Sequence, residues 1–200
     1  MKSFSVGIAG YMGSGKSTCA RYIASKIDST LVDVDREAKR LLQDSADIQK
    51  QIQEAFGADS CRNHKPRFDI LGKRAFKSLH ELEKLNAIVH PPLLDRLRGM
   101  LDSYSGGGII VDAALISFWQ IESWFDIVVW VDADREERME RVANSVALSR
   151  PEIAARMDIQ ERLVPYPRSN RWYNVYNNGK IKDLFMQCDT MTGQWRRRSG

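Results

Sequence analysis

The chain of 200 residues has only three cysteines, Cys19, Cys61 and Cys188, and no two of them form a C-x-x-C. That pattern excludes a disulfide framework and a cysteine-based zinc site. Histidine is as scarce, with only His64, His80 and His90, and nothing arranges Ser, His and Asp as a hydrolase triad. No apolar run approaches the ~18 residues of a membrane helix. Met1-Lys2-Ser3 leads straight into an apolar segment, so no signal peptide is expected. No internal repeat or low-complexity segment is visible. A strong charge of one sign is also missing: 30 basic residues face 26 acidic ones, for a net +4. Nucleic-acid binding calls for a denser basic stripe with interleaved aromatics. Only Trp195-Arg196-Arg197-Arg198 looks that way, and a frayed, solvated C-terminus is expected there. What remains is a soluble protein of a reducing cytosol, without nucleic-acid or membrane partners. Its length suits one domain or one core with an inserted lobe, and such a chain buries roughly 70% of its unfolded surface.

Gly10-Tyr11-Met12-Gly13-Ser14-Gly15-Lys16-Ser17-Thr18 matches G-x-x-x-x-G-K-[ST], the phosphate-binding P-loop. Phe4 to Ala9 before it reads as a buried parallel strand. After it, apolar residues at 19, 20, 23, 24 and 27 fall on one helical face. Strand, glycine loop and helix are the context the motif requires. The glycines let the backbone turn and approach a phosphate. Backbone N–H groups and the positive end of the helix then form an anion nest. Lys16 supplies a point charge for the β- and γ-phosphates, and the Ser17 hydroxyl can ligate Mg²⁺. Met12 is read as packing.

Strands and helices alternate along the rest of the chain. Strands are expected at about 30–35, 109–114, 126–132 and 173–177. Helices are expected at about 36–43, 46–56, 70–89, 93–103, 134–143, 152–162 and 180–187, with a break at His90-Pro91-Pro92. Buried strands separated by helices predict an α/β, doubly wound parallel sheet. The predicted layout is a single domain. Its core comprises about 1–56, 104–134 and 164–188, with a helical acceptor-binding lobe at about 57–103 and a lid at about 135–163.

Asp33 and Asp35 fall at the carboxyl end of the second predicted strand, the edge where open α/β sheets bind ligands. Alternation in a strand points both side chains the same way. One carboxylate can take a proton from a hydroxyl acceptor, and the other can hold water on Mg²⁺. Asp35 can equally be the N-cap of the next helix. Arg135, Arg138, Arg141, Arg150 and Arg156 follow the fourth strand. An arginine there can stabilise a transferring phosphoryl group, although most of these can pair along one helix at i,i+3 and i,i+4. His90 is a candidate substrate contact or merely a helix end, while His64 and His80 are expected at the surface.

Together these residues resemble the dephospho-coenzyme A kinase family over roughly residues 4–185. The family's opening G-hydrophobic-T-G-G-x-G-S-G-K-S-T stands here as Gly7 to Thr18. Its D-x-D is Asp33-Val34-Asp35, followed by a helix carrying Arg40. Its F-G is Phe56-Gly57, its H-P is His90-Pro91, its R-x-x-x-Q is Arg156 to Gln160, and its closing motif is Asn174 to Gly179. The resemblance implies a three-layer P-loop kinase fold and transfer of the γ-phosphoryl of ATP, with Mg²⁺, to the 3′-hydroxyl of dephospho-coenzyme A. That is the last step of coenzyme A synthesis. It implies Asp35 as the base, with Asp33 beside metal or substrate through water, and Arg141 reaching the phosphates. Asn177 and Gly179 would lie beside the adenine, and Arg40 and His90 on the acceptor. A monomer, or at most a weak oligomer, is expected. Departures from the family pattern are Asp112-Ala113-Ala114-Leu115-Ile116 for P-L-L-x-E, Arg138 for glutamine, Ser145 for arginine and Phe68 for arginine. They fall mainly on the acceptor side. A P-loop kinase of a nucleoside or nucleoside monophosphate, or a nucleotide-gated binding module without catalysis, are the alternatives.

Overall fold

The computed structural model describes residues 4–63, 65–167 and 169–198, with the side chains of 196–198 excluded. His64 and the side chains of Arg196, Arg197 and Arg198 therefore lie outside the described residues. The chain divides into two compact units, Met1–Asp33 with Tyr104–Gly200, and Val34–Ser103.

The first unit is built on a five-stranded parallel sheet, β1 (Phe4–Ala9), β2 (Ser29–Asp33), β5 (Gly108–Asp112), β6 (Ile127–Asp132) and β7 (Trp172–Tyr176). Its order is β2-β5-β1-β6-β7. β1 therefore lies in the centre, where the strand order reverses, and the loop that follows it opens at the switch point of the sheet. Alternation along β1 sends Val6 and Ile8 to one face. There they pack with Cys19, Ala20 and Ile23 of α1 (Lys16–Lys26) and with Leu184, Cys188, Met191 and Trp195 of α9 (Ile181–Arg198). Gly7 faces the other way, and a side chain there would press on Phe125 and Ile116. Cys19 and Cys188 meet between the two helices with sulfurs 3.4 Å apart. That hydrogen bond, together with burial, holds the Cys19 thiol well above its ordinary titration range.

α9 corrects the expectation of a short last helix over 180–187 and a frayed tail. It runs to Arg198, and Trp195 is buried edge-on to Tyr173 at 6.1 Å. Its apolar positions continue at helical spacing through Met191 and Trp195, so packing overrides the basic character of the tail. α6 (Ile116–Trp119), α7 (Arg135–Ala143) and α8 (Arg150–Leu163) complete the unit. Ser149 and Glu152 close a capping box at the start of α8.

The second unit holds α2 (Val34–Asp44), α3 (Ala46–Phe56), a two-residue hairpin of β3 (Cys61–Arg62) and β4 (Lys65–Pro66), α4 (Phe68–Ala75) and α5 (Leu79–Ser103). Its core gathers Leu42, Ile48, Ile52, Phe56, Cys61, Leu71 and Val89. The unit begins at Val34 rather than near 57, so α2 and α3 belong with these helices and not with the sheet. Ser45 caps α3 by accepting from Ile48 N, and Gly57 at φ 95° ends it. The helix expected over 70–89 is interrupted at Phe76–Ser78, whereas the expected break at His90-Pro91-Pro92 is absent. α5 runs through both prolines. A proline in a helix interior costs about 3 kcal/mol. Leu82, Val89, Leu93 and Leu97 are buried along α5, and each such side chain contributes about 1.5–3 kcal/mol, enough to carry the helix through. Glu37, also buried, is held by Arg40 at 2.6 Å and Arg96 at 2.9 Å.

Candidate functional site: the P-loop and the carboxyl edge of the sheet

β1 ends at Ala9 and α1 begins at Lys16, so Gly10–Gly15 turn over the end of the central strand. Gly13 (φ 78°) and Gly15 (φ 96°) lie in the left-handed region that favours glycine. A side chain at Gly13 would collide with the backbone of Arg138, and one at Gly15 with the amide of Asn177. Gly15 occupies the N-cap of α1 without any side-chain cap, so the first turn keeps its positive end open to an anion. Ser17 and Thr18 follow in that turn, both half-buried.

Lys16 Nζ lies 3.6 Å from Asp112 Oδ1, with 15% and 6% of the two side chains exposed. Register explains the encounter. Asp112 pairs with Ile8 of β1 on one side and with Asp33 of β2 on the other. Asp33 and Asp112 thus end neighbouring strands at one level. In the sequence Asp112 stands only as part of a strand and of a departure from a family motif. The available signal was the form of the strand, Ile109-Ile110-Val111-Asp112, an apolar run closed by an acid at the ligand-binding edge.

The strand expected through Asp35 stops at Asp33, and Asp35 falls in the first turn of α2 beside Glu37. Strand alternation therefore does not relate the two acids. Acidic residues stabilise a helix N-terminus, and Arg36-Glu37-Ala38-Lys39-Arg40-Leu41 are good helix formers. Because the helix already includes Val34, Asp35 is not its cap. Asp33 and Asp35 are both exposed. Within the helical unit, Arg40 is engaged with Glu37. His90 lies mid-helix, and burial lowers its pKa to about 4, so it is neutral at pH 7.

In the sheet unit, Arg141 donates to the carbonyls of Asn177 (2.7 Å) and Gly13 (3.5 Å) and pairs with Glu137 at 3.1 Å. Asn177 is buried and donates from Nδ2 to Ser14 O at 2.8 Å. The structure thus brings together Gly13, Ser14, Gly15, Arg141 and Asn177. Gly179 is exposed just before α9. Tyr11 donates its hydroxyl to Val164 O at 3.1 Å, and Met12 N donates to Gln160 Oε1 at 2.7 Å. The Met12 side chain packs with Met139, Val142, Ile153 and Met157, as expected. Arg135 and Arg138 depart from the expected pairing along one helix. Both reach α8, Arg135 to Glu161 and Asp158 and Arg138 to Glu161. Arg138 is 4% exposed. Helical period places it on α7, but its contact with Glu161 of α8 is non-local and leaves no mark in the sequence.

Oxygen donors at this edge include the Ser17 hydroxyl and the Asp33 and Asp112 carboxylates. They suit a hard cation that arrives partly hydrated with a phosphate. Among the described residues no three His, Cys, Asp or Glu side chains group to hold a metal by themselves. No helix among the described residues is long and apolar enough to cross a membrane.

The family model for dephospho-CoA kinase matches residues 4–183. The dephospho-CoA kinase of Dehalococcoides mccartyi is 32% identical over 163 residues, covering 78% of this chain and 79% of the relative. That of Salinibacter ruber is 30% identical over 190 residues, covering 90% and 91%. Among solved structures, TT1252 from Thermus thermophilus has a TM-score of 0.70 at 23% identity, covering 97% of this chain and 98% of that one. The dephospho-CoA kinase from Campylobacter jejuni has a TM-score of 0.58 at 18% identity, covering 96% and 97%. At those identities the structural likeness speaks for the fold, a P-loop kinase fold, and the sequence matches speak for more. The chain belongs to the dephospho-CoA kinase family.

Proposed function

We propose that this chain phosphorylates the 3′-hydroxyl of dephospho-coenzyme A with ATP, giving coenzyme A and ADP, in the cytosol and as a monomer. The observation that carries the reading is the P-loop. Its glycines are in left-handed conformations, α1 is uncapped, and Lys16 stands against the buried Asp112 at the switch point of the sheet. Free, buried thiols at Cys19, Cys61 and Cys188 suit a reducing compartment.

Gly10 to Thr18 cradle the triphosphate through backbone N–H groups. Lys16 turns from Asp112 toward the β- and γ-phosphates, where its charge is most valuable as the γ-phosphoryl transfers. Arg141, already at the carbonyl of Gly13, adds positive charge beside the same phosphates. A Mg²⁺ ion arriving with ATP would supply positive charge that offsets the charge of the phosphates. Ser17 would hold it directly, and Asp33 and Asp112 would hold it through water. Asp35 accepts the proton of the attacking hydroxyl. Asn177 and Gly179 flank the adenine, and Arg40, His90 and Asp33 contact the acceptor. A neutral imidazole at His90 can offer either a donor or an acceptor to that substrate.

Mass spectrometry of the product formed from ATP, Mg²⁺ and dephospho-coenzyme A tests the reading. The expected product is heavier than the acceptor by one phosphoryl group, placed on the ribose 3′-oxygen. Turnover with nucleosides or nucleoside monophosphates, and none with dephospho-coenzyme A, would overturn it.

A further inference from the structure

Three side chains that no single motif connects meet at the turn of the P-loop. The backbone of Arg138 packs against Gly13 closely enough to leave no room for a side chain there. The Arg138 side chain then returns along the same turn. Its guanidinium lies 5.1 Å from the centre of the Tyr11 ring and donates to Ala133 O at 3.0 Å and to Glu161 Oε1 at 2.5 Å. Tyr11 is fixed from its other sides. Its hydroxyl reaches Val164 O, and its ring stands edge-on to Trp130 at 5.0 Å. A buried cation is costly unless it is paired in good geometry, and position 11, one of the variable positions of the phosphate loop, carries an aromatic ring here. The loop carries both features, and they are joined to each other.

We infer that Tyr11, Arg138 and Glu161 are positioning residues for ATP: together they hold residues 11–13 in the shape in which the loop receives the phosphates. The inference rests on the proposed reading of the P-loop as the ATP site. A glycine-rich turn freed from these contacts samples other shapes, and apparent affinity falls by the fraction of time spent in the receiving one. ATP recognition is therefore affected, and acceptor recognition is not.

Steady-state kinetics test this, with each substrate varied while the other is saturating. If the released loop keeps its receiving shape about a tenth of the time, Tyr11→Ala raises KM for ATP about tenfold. KM for dephospho-coenzyme A stays at its wild-type value. Arg138→Lys keeps the charge but loses the planar stack and the fork, and raises KM for ATP about fivefold. Tyr11→Phe loses only the hydroxyl bond and gives a rise of about two- to threefold. The Tyr11→Ala, Arg138→Lys double variant is little worse than Tyr11→Ala alone, because both act through one contact. Equal rises in both KM values, or a lower melting temperature with KM for ATP unmoved, would overturn the inference. If Tyr11→Ala does not fold, Arg138→Lys and Tyr11→Phe carry the test, and wild-type KM for ATP in both overturns it. Lys16→Ala, run alongside, separates the two readings. If that variant turns over like wild type, the loop is not the ATP site and the proposed function fails. If it is inactive while KM for ATP stays unmoved in the Tyr11 and Arg138 variants, only the positioning role fails.

Discussion

The sheet unit and the helical unit of residues 34–103 hold their charged groups in opposite ways. At the carboxyl edge of the sheet, Lys16 and Asp112 are largely shielded from solvent and are placed by backbone register. In the helical unit, the buried Glu37 is shared by two arginines that are 47% and 39% exposed, and Asp59 is gripped by Arg74 at the surface. The sheet edge is preorganised by strands and glycines, so its charges act at short range in a partly dry setting. The helical unit presents side chains whose effect depends on what they meet. On the proposed reading the sheet edge takes the phosphates, which are much the same in every kinase, and the helical unit takes the acceptor, which is particular.

The largest effect that would sharpen this contrast belongs to the helical unit. Replacing Asp35 by Asn removes the proposed base, and kcat is expected to fall about 10²–10⁴-fold while nucleotide binding, read by calorimetry, persists. Lost nucleotide binding would show that Asp35 serves the phosphate end instead. Lys16→Ala is expected to lower kcat about 10²–10³-fold with the fold intact by circular dichroism. Asp112→Asn leaves Lys16 without its charged neighbour, and a loss of about 10–100-fold in kcat/KM is expected, the size typical of a supporting ligand. A wild-type value would reduce Asp112 to a strand end.

The next effect is on stability. His90 has a pKa of about 4 when folded, against 6.5 for a free imidazole. The unfolded chain therefore binds more protons between those values, and the contribution of His90 is complete above about pH 6.5 and lost as pH falls toward 4. Urea midpoints should decline from pH 7 to 5, and His90→Gln should flatten that decline. The smallest effect is expected from Ser45→Ala. It removes the cap of α3 and about 1 kcal/mol, lowering Tm by roughly 2–4 °C with kcat unchanged.

The phosphate end was legible because its chemistry is local. Nine consecutive residues state the loop, and a continuous apolar run, buried from Val6 to Ala9, states the central strand. The parallel sheet followed from strands alternating with helices. What the sequence concealed was non-local. Asp112 gains meaning only when register sets it beside β1, and Arg138 only when α8 folds over it. Pro91 and Pro92 carry a strong local signal to stop a helix, and the apolar face of α5 overrides it. Asp33-Val34-Asp35 reads as the end of a strand, yet acids in the first turn and good helix formers begin α2 at Val34, two residues before the expected start near 36.

Trp195 sits five residues from the last position of the chain and is nonetheless packed against the same apolar layer as Val6 and Ile8. Shortening the protein by half a dozen residues would therefore peel the final turn from the sheet and bare an oily stripe beneath it. A sticky, poorly folding product would result.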